Sequence, residues 1–212
     1  ESHVPFAINV PAEVIRGNLA SPEKLAQYLG NAGVDMNEEA VIISKGGLNP
    51  DSALAYLALE QLGQKKVSLL SDSLDDWAFA GLTVEKSGEP VDPKKPPSPP
   101  AKPKAYRADV RTGIVTRNPS ATKGLYPKVY VATGRSLPAR VPEGKFVHVP
   151  YTELLNADGT PKPAKDIWAA LQKAGVPRYA EIVSFSDDPG EAAADYFVLK
   201  LMGYPDVKVW VM

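Results

Sequence analysis

Val41–Val67 (VIISKGGLNPDSALAYLALEQLGQKKV) and Glu181–Val207 (EIVSFSDDPGEAAADYFVLKLMGYPDV) align without a gap at a constant offset of 140 positions. The match pairs Ser44 with Ser184, Ala53 with Ala193, Tyr56 with Tyr196, Leu59 with Leu199 and Gly63 with Gly203. Each stretch reads as a short apolar strand, a loop, a helix closed by glycine and a second apolar strand. The strands lack polar alternation, as expected of a parallel sheet covered on both faces. Strand, crossover helix and parallel strand form the right-handed βαβ unit.

The repeat extends outward. Ala7-Ile8-Asn9-Val10-Pro11-Ala12-Glu13 is answered by Phe146-Val147-His148-Val149-Pro150-Tyr151-Thr152-Glu153, and each leads into a helix. In the first half Ser21 is the expected N-cap with Pro22 at the first helical position. Leu25, Tyr28, Leu29 and Ala32 make the apolar stripe, and Gly33 stops the helix. In the second half Ile167, Trp168, Leu171 and Ala174 make the stripe and Gly175 the stop. Between the halves, Ser87–Lys104 (SGEPVDPKKPPSPPAKPK) carries prolines at 90, 93, 96, 97, 99, 100 and 103. Proline lacks the N–H that helix and sheet require, so this stretch predicts a semi-rigid polyproline linker. The expected organisation is an α/β protein of two small domains, residues 1–86 and 105–212, joined by a linker at 87–104. Each domain is read as a small parallel sheet flanked by helices with its own core.

Composition narrows the function. With 44% hydrophobic residues, 23% charged residues and a net charge of -1, the chain lacks the basic excess that would neutralise nucleic-acid phosphates. Its apolar runs fall far short of the roughly 20 residues of a membrane-crossing helix. There is no cysteine, which excludes disulfides, thiolate metal sites and thiol chemistry, and which suits an oxidising, extracytoplasmic compartment, periplasmic or secreted. The opening Glu1-Ser2-His3-Val4-Pro5 has neither an initiator Met nor a signal-peptide pattern and does not read as a translation start.

Taken in order, these motifs resemble the rhodanese (thiosulfate sulfurtransferase) family in its tandem form, over nearly the whole chain apart from the linker. His3–Pro11 (HVPFAINVP) looks like the family's opening motif, G-H-I-P-G-A-x-x-x-P. Val67–Ser73 (VSLLSDS), with Asp76-Trp77 and Ala80-Gly81-Leu82, looks like its closing motif, where the family has D-G-G, a Trp and A-G-L. V-P-Y-T-E-L-L, K-A-G-V and L-K-L-M-G-Y-P-D-V follow in family order in the second half. The first copy lacks the opening strand with its usual D-x-R, Thr133-Gly134-Arg135 stands where that motif falls in the second, and Met212 comes before the second closing motif. The chain therefore reads as trimmed at both ends.

The resemblance implies a catalytic cysteine at the start of a six-residue loop between strand and helix. There, inward N–H groups hold anions and lower the thiol pKa while the sulfur carries a persulfide. Counting back from Gly203 puts the cysteine position at Ser186; counting from Gly190 puts it at Asp187. The binding loop is then Ser186, Asp187, Asp188, Pro189, Gly190 and Glu191, and the equivalent point in the first copy is Gly46. A serine without a base does not form a persulfide, and Asp187, Asp188 and Glu191 repel a divalent anion. An alternative reading of the acids is that Asp187 or Asp188 caps the following helix. One acidic stretch does not supply a calcium or zinc ligand set, so no metal and no cofactor are expected.

The remaining candidates are weaker. His3 and His148, the only histidines, read as packing or hydrogen-bonding residues beside Val-Pro. Gly46-Gly47 matches neither phosphate-binding fingerprint and reads as a turn. Trp77, Trp168 and Trp210 read as core or interface aromatics. Three functions follow: a catalytically silent rhodanese-like module, binding or structural, with an unidentified protein partner; a thiosulfate sulfurtransferase whose catalytic position is Ser186; and a different hydrolytic or ligand-binding role for the acidic loop.

Overall fold

A computed structural model of the chain describes residues 2–86 and 97–212. The elements of the first half are β1 (Ser2–His3), α1 (Ala12–Asn18), α2 (Pro22–Ala32), β2 (Glu39–Ile42), α3 (Pro50–Gln61), β3 (Lys66–Leu69), α4 (Leu74–Phe79) and β4 (Glu85–Lys86). The second half has β5 (Val115–Thr116), β6 (Lys128–Ala132), β7 (Phe146–His148), a 3-10 turn at Tyr151–Leu154, α5 (Ala164–Lys173), β8 (Glu181–Phe185), α6 (Pro189–Leu201) and β9 (Asp206–Trp210).

Local chemistry sets these boundaries. Pro22 opens α2, and Ser21 occupies the cap position, although its hydroxyl makes no capping bond. Gly33 closes the helix in the left-handed region (φ 99°), where a Cβ would be strained. Its N–H reaches Gly30 O while the Val34 N–H reaches Leu29 O, the reciprocal pair that satisfies the last carbonyls. Asn49 caps α3, accepting from the N–H groups of Asp51 and Ser52, and Ser52 answers from its side chain.

Strands β5-β9-β8-β6-β7 form a five-stranded parallel sheet in that order, with α6 packed against β8 and β9. Every residue of β8 is buried, Glu181 and Ser184 included, so the strand shows no alternation between a buried and an exposed face. In the first half β2 and β3 form a separate two-stranded parallel sheet. Here the expectation of a sheet covered on both faces fails: β2 alternates between exposed and half-buried positions, and Val41 is 53% exposed. Among the described residues β3 is its only partner, so no flanking strand shields it.

The most extensive packing in the molecule joins α3 to α6. Both helices are apolar nearly all round, and Ala53, Ala193 and Ala194 are fully buried in a cluster that runs through both halves. Tyr56 meets Phe197 edge-on at 4.8 Å, and a Cβ on Gly190 would lie 2.6 Å from Pro50 O. Where a core for each half was expected, the larger apolar cluster runs through both halves, and a smaller one, Ala132, Val183, Phe185 and Trp210, belongs to the second half alone.

Of the predicted linker, residues 87–96 lie outside the described residues. Residues 97–104 have no regular secondary structure, and the chain beyond them follows the first half. Lys104 N–H reaches Gly30 O, the Tyr106 hydroxyl bonds Gln64 Oε1 at 2.7 Å, and Arg111 N–H reaches Gln61 O. Among the described residues no helix is long and apolar enough to cross a membrane.

Candidate active-site loop

Ser186 follows the last residue of β8 and is almost fully buried (4% exposed). Only Ser186, Asp187 and Asp188 separate strand from helix, because Pro189, with φ preset, begins α6 and makes Gly190 and Glu191 part of its first turn. Asp188 is the N-cap, its Oδ1 accepting the Gly190 N–H at 2.9 Å, while the Glu191 N–H bonds Asp188 O. The Asp188 N–H points back to Ser186 Oγ at 3.3 Å. Three of the N–H groups that an anion would use, those of Asp188, Gly190 and Glu191, are therefore engaged by the loop's own acceptors.

The Ser186 hydroxyl donates to Glu191 Oε2 at 2.6 Å, and both Asp187 oxygens accept the Ala139 N–H at 3.1 Å. Thr133-Gly134-Arg135 lies over the loop, held by the Thr133 N–H to Phe185 O (3.0 Å) and by His148 Nε2 against Gly134 O (2.9 Å). A Cβ at position 134 would stand 2.8 Å from both Ser186 Oγ and Glu191 Oε2, so the backbone approaches only because residue 134 is glycine. Arg135 donates to the Tyr151 hydroxyl at 3.3 Å; that bond, together with the Tyr151 and Glu191 charges, raises its pKa. Arg16 reaches from α1 to Asp188 Oδ1 (3.1 Å) and Asp51 Oδ1 (2.9 Å), tying together the first turns of α6 and α3.

No family model matches the chain. Over 99% of its length it is 28% identical to a Synechococcus elongatus protein carrying a thiosulfate sulfurtransferase name, of which it covers 71%. It is 26% identical over 97% of its length to the sulfur carrier protein TtuD of Thermus thermophilus, covering 79% of it. The 3-mercaptopyruvate sulfotransferase SseA of Escherichia coli, a solved rhodanese structure, superposes on 99% of this chain and 82% of its own, with a TM-score of 0.77 and 20% identity. The chain has the rhodanese fold. Its homologues carry thiosulfate sulfurtransferase names, and the chain itself has no cysteine.

Within that rhodanese fold the first-half loop differs from the second. Seven residues, 43–49, separate β2 from α3, and they too are filled from within. Ser44 Oγ donates to Gly47 O and accepts from the Gly46 N–H, and Asn49 Nδ2 bonds the same oxygen at 3.1 Å. The Leu48 N–H bonds Gly159 O, and a Cβ on Gly47 (φ 53°) would meet Asp158 O at 2.7 Å. Gly46, expected at the catalytic position, offers no reactive side chain. Among the described residues no three His, Asp or Glu side chains are placed to hold a metal ion.

Two groups beside the loop were not singled out in the sequence. Arg16 has one local partner, Glu13 at 3.8 Å, but the two that bring it to the loop lie 35 and 172 positions away and leave no local signal. Asp195 does have one, as a lone acid within Ala192-Ala193-Ala194 and Tyr196-Phe197. It is fully buried in α6, and burial pushes its carboxyl up to about 7 even though the Ser184 hydroxyl donates to Oδ2 at 2.5 Å; Oδ1 has no partner. His3 pairs with Glu85 across the β1–β4 ladder at 3.3 Å. Trp210 is buried, while Trp77 and Trp168 are only half-buried.

Proposed function

We propose that this protein is a rhodanese-like tandem, with domains at 1–86 and 105–212 and a proline-rich linker at 87–104, that transfers no sulfur and works as a binding or structural module for a protein partner. The observation that carries the reading is at Ser186, where a hydroxyl bonded to the Glu191 carboxylate stands at the strand-to-helix turn in a chain without cysteine. Persulfide chemistry needs a thiolate, and a hydroxyl hydrogen-bonded to a carboxylate offers neither polarisable sulfur nor a depressed pKa. Around it Asp187, Asp188, Pro189, Gly190 and Glu191 present negative charge and occupied N–H groups, which disfavours a divalent anion. The lack of cysteine across 212 residues supports an extracytoplasmic location, periplasmic or secreted, which cell fractionation tests.

The second reading, a sulfurtransferase whose catalytic position is Ser186 (or Asp187 on the alternative register), draws support from the names of the homologues. Thiosulfate-to-cyanide sulfur transfer by the purified chain separates the two. The silent module gives background thiocyanate, and turnover above background overturns it.

A further inference from the structure

Pro97–Lys104 (PSPPAKPK) crosses the first half as a strap that is held at every third residue. Ser98 donates to Glu85 Oε1 from both its N–H (3.0 Å) and its hydroxyl (2.7 Å). Ala101 lies on Gly33, where a Cβ would stand 2.6 Å from the Ala101 methyl. The Lys104 N–H reaches Gly30 O at 2.8 Å, and its ammonium pairs with Asp35 (3.2 Å) and Glu38 (3.3 Å). A polyproline helix has three residues per turn, so Ser98, Ala101 and Lys104 share one of its edges, and that edge is engaged by the protein itself. Pro97, Pro100 and Pro103 on the second edge, and Pro99 and Lys102 on the third, are all exposed.

The order of residues within the strap fits this division. Pro97-Ser98-Pro99-Pro100-Ala101-Lys102 has the form P-x-x-P-x-K, the pattern read by aromatic-lined grooves that recognise proline helices. A helix of triangular section laid in a groove touches it with two edges and leaves the third outside. The two open positions of the pattern that follow its prolines, Ser98 and Ala101, are the ones turned to the first half, while both prolines and the lysine stand on the free edges. Lys102 is exposed and, unlike Lys104, has no ion-pair partner among the described residues, so its charge is open to a carboxylate on another protein. Anchored at Ser98 and Lys104 and with φ preset at each proline, the strap has little freedom left to lose on binding.

We propose that this strap is a docking site for a protein whose proline-helix groove is lined by aromatic side chains and carries an acidic pocket, the SH3 type, and that the pocket takes Lys102. Pro97, Pro99 and Pro100 lie against the aromatic rings, and Ser98 and Ala101 stay on the first half. The proposal names the kind of partner that the binding-module reading calls for and rests on that reading only for there being a partner. It uses no residue of the Ser186 loop.

The probe is an isolated, isotope-labelled SH3 domain that prefers P-x-x-P-x-K ligands, titrated with the full chain and followed by its amide NMR shifts. The expected result is a saturable change at micromolar concentration, confined to the aromatic groove and the acidic pocket. Pro97→Ala/Pro100→Ala is expected to weaken binding about tenfold or more, and Lys102→Glu, which sets like charges against each other at an exposed position, does the same. Ser98→Ala, on the anchored edge, changes the affinity by no more than about threefold. No saturable change, changes outside the groove, an unaltered affinity in Lys102→Glu, or a loss in Ser98→Ala equal to that of the double proline variant overturns the proposal. Thiosulfate-to-cyanide transfer involves none of these residues, so a failed titration leaves the silent-loop reading standing, and turnover by the chain leaves the strap standing.

Discussion

β2 and β8 are corresponding strands in two stretches of near-identical order, yet one lies at the half-exposed edge of a two-stranded sheet and the other is buried at the centre of a five-stranded one. Their turns differ likewise: seven residues lead from β2 into α3 and three lead from β8 into α6. The βαβ pattern is therefore sufficient to form each unit, while burial depends on which strands flank it. The difference also separates what each half contributes. The second half supplies most of the sheet, and the first supplies α3, against which α6 packs.

The largest expected effect breaks this comparison at its core. Phe185→Ala, which empties the space between Phe146 and Trp210, is expected to cost about 3–5 kcal/mol, whereas Ile42→Ala on the open strand costs about 1–2 kcal/mol. Urea unfolding measures both; equal losses would mean that the two sheets are equally buried in solution.

Asp195 sharpens the contrast, because its counterpart at the 140 offset is Ala55. Its folded-state pKa is raised to about 7 from 3.8. Between those values the folded chain holds a proton that the unfolded chain has lost. Stability therefore falls as pH rises from about 4 to 7 and is level above, by on the order of 4 kcal/mol in all at 1.36 kcal/mol per unit. Asp195→Asn is expected to remove that slope, with Tm rising above the parent's at pH 8 and matching it near pH 4. A slope that survives in the variant assigns it elsewhere.

Gly134→Ala brings a methyl group to 2.8 Å from the Ser186 and Glu191 oxygens and is expected to cost about 1–3 kcal/mol, while Gly144→Ala, where nothing lies within 4 Å but φ is 102°, carries backbone strain alone, about 1 kcal/mol. Thermal melts of the pair show whether the Thr133–Arg135 turn closes over the loop; equal losses contradict it.

Much of this arrangement is legible in the amino-acid order. Gly33 and Gly175 end helices because left-handed termini favour residues without Cβ, and Asp188 caps α6 as an acid ahead of Pro189 should. Ser186 does stand at the end of a buried strand. Less legible is whatever depends on partners distant in the chain. The exposure of β2 follows from its having only β3 beside it among the described residues, and the folding of 104–111 onto the first half follows from carbonyls at Gly30, Gln61 and Leu62 that carry no sequence signal. The Ser186–Glu191 bond could have been anticipated in part. Pro189 starts the helix early, and that places residue 191 in its first turn beside the serine.

The most direct test of the account replaces the serine. Ser186→Cys is incubated with thiosulfate and its intact mass is measured, alongside Ser186→Cys/Glu191→Ala. With Glu191, Asp187 and Asp188 around it, a thiol at 186 is held protonated and apart from the anion, so the single variant is predicted to keep its unmodified mass while the double variant gains sulfur more readily. A single variant that becomes heavier by one sulfur atom and passes it to cyanide would contradict the proposal that the loop, and not the missing cysteine alone, opposes sulfur transfer.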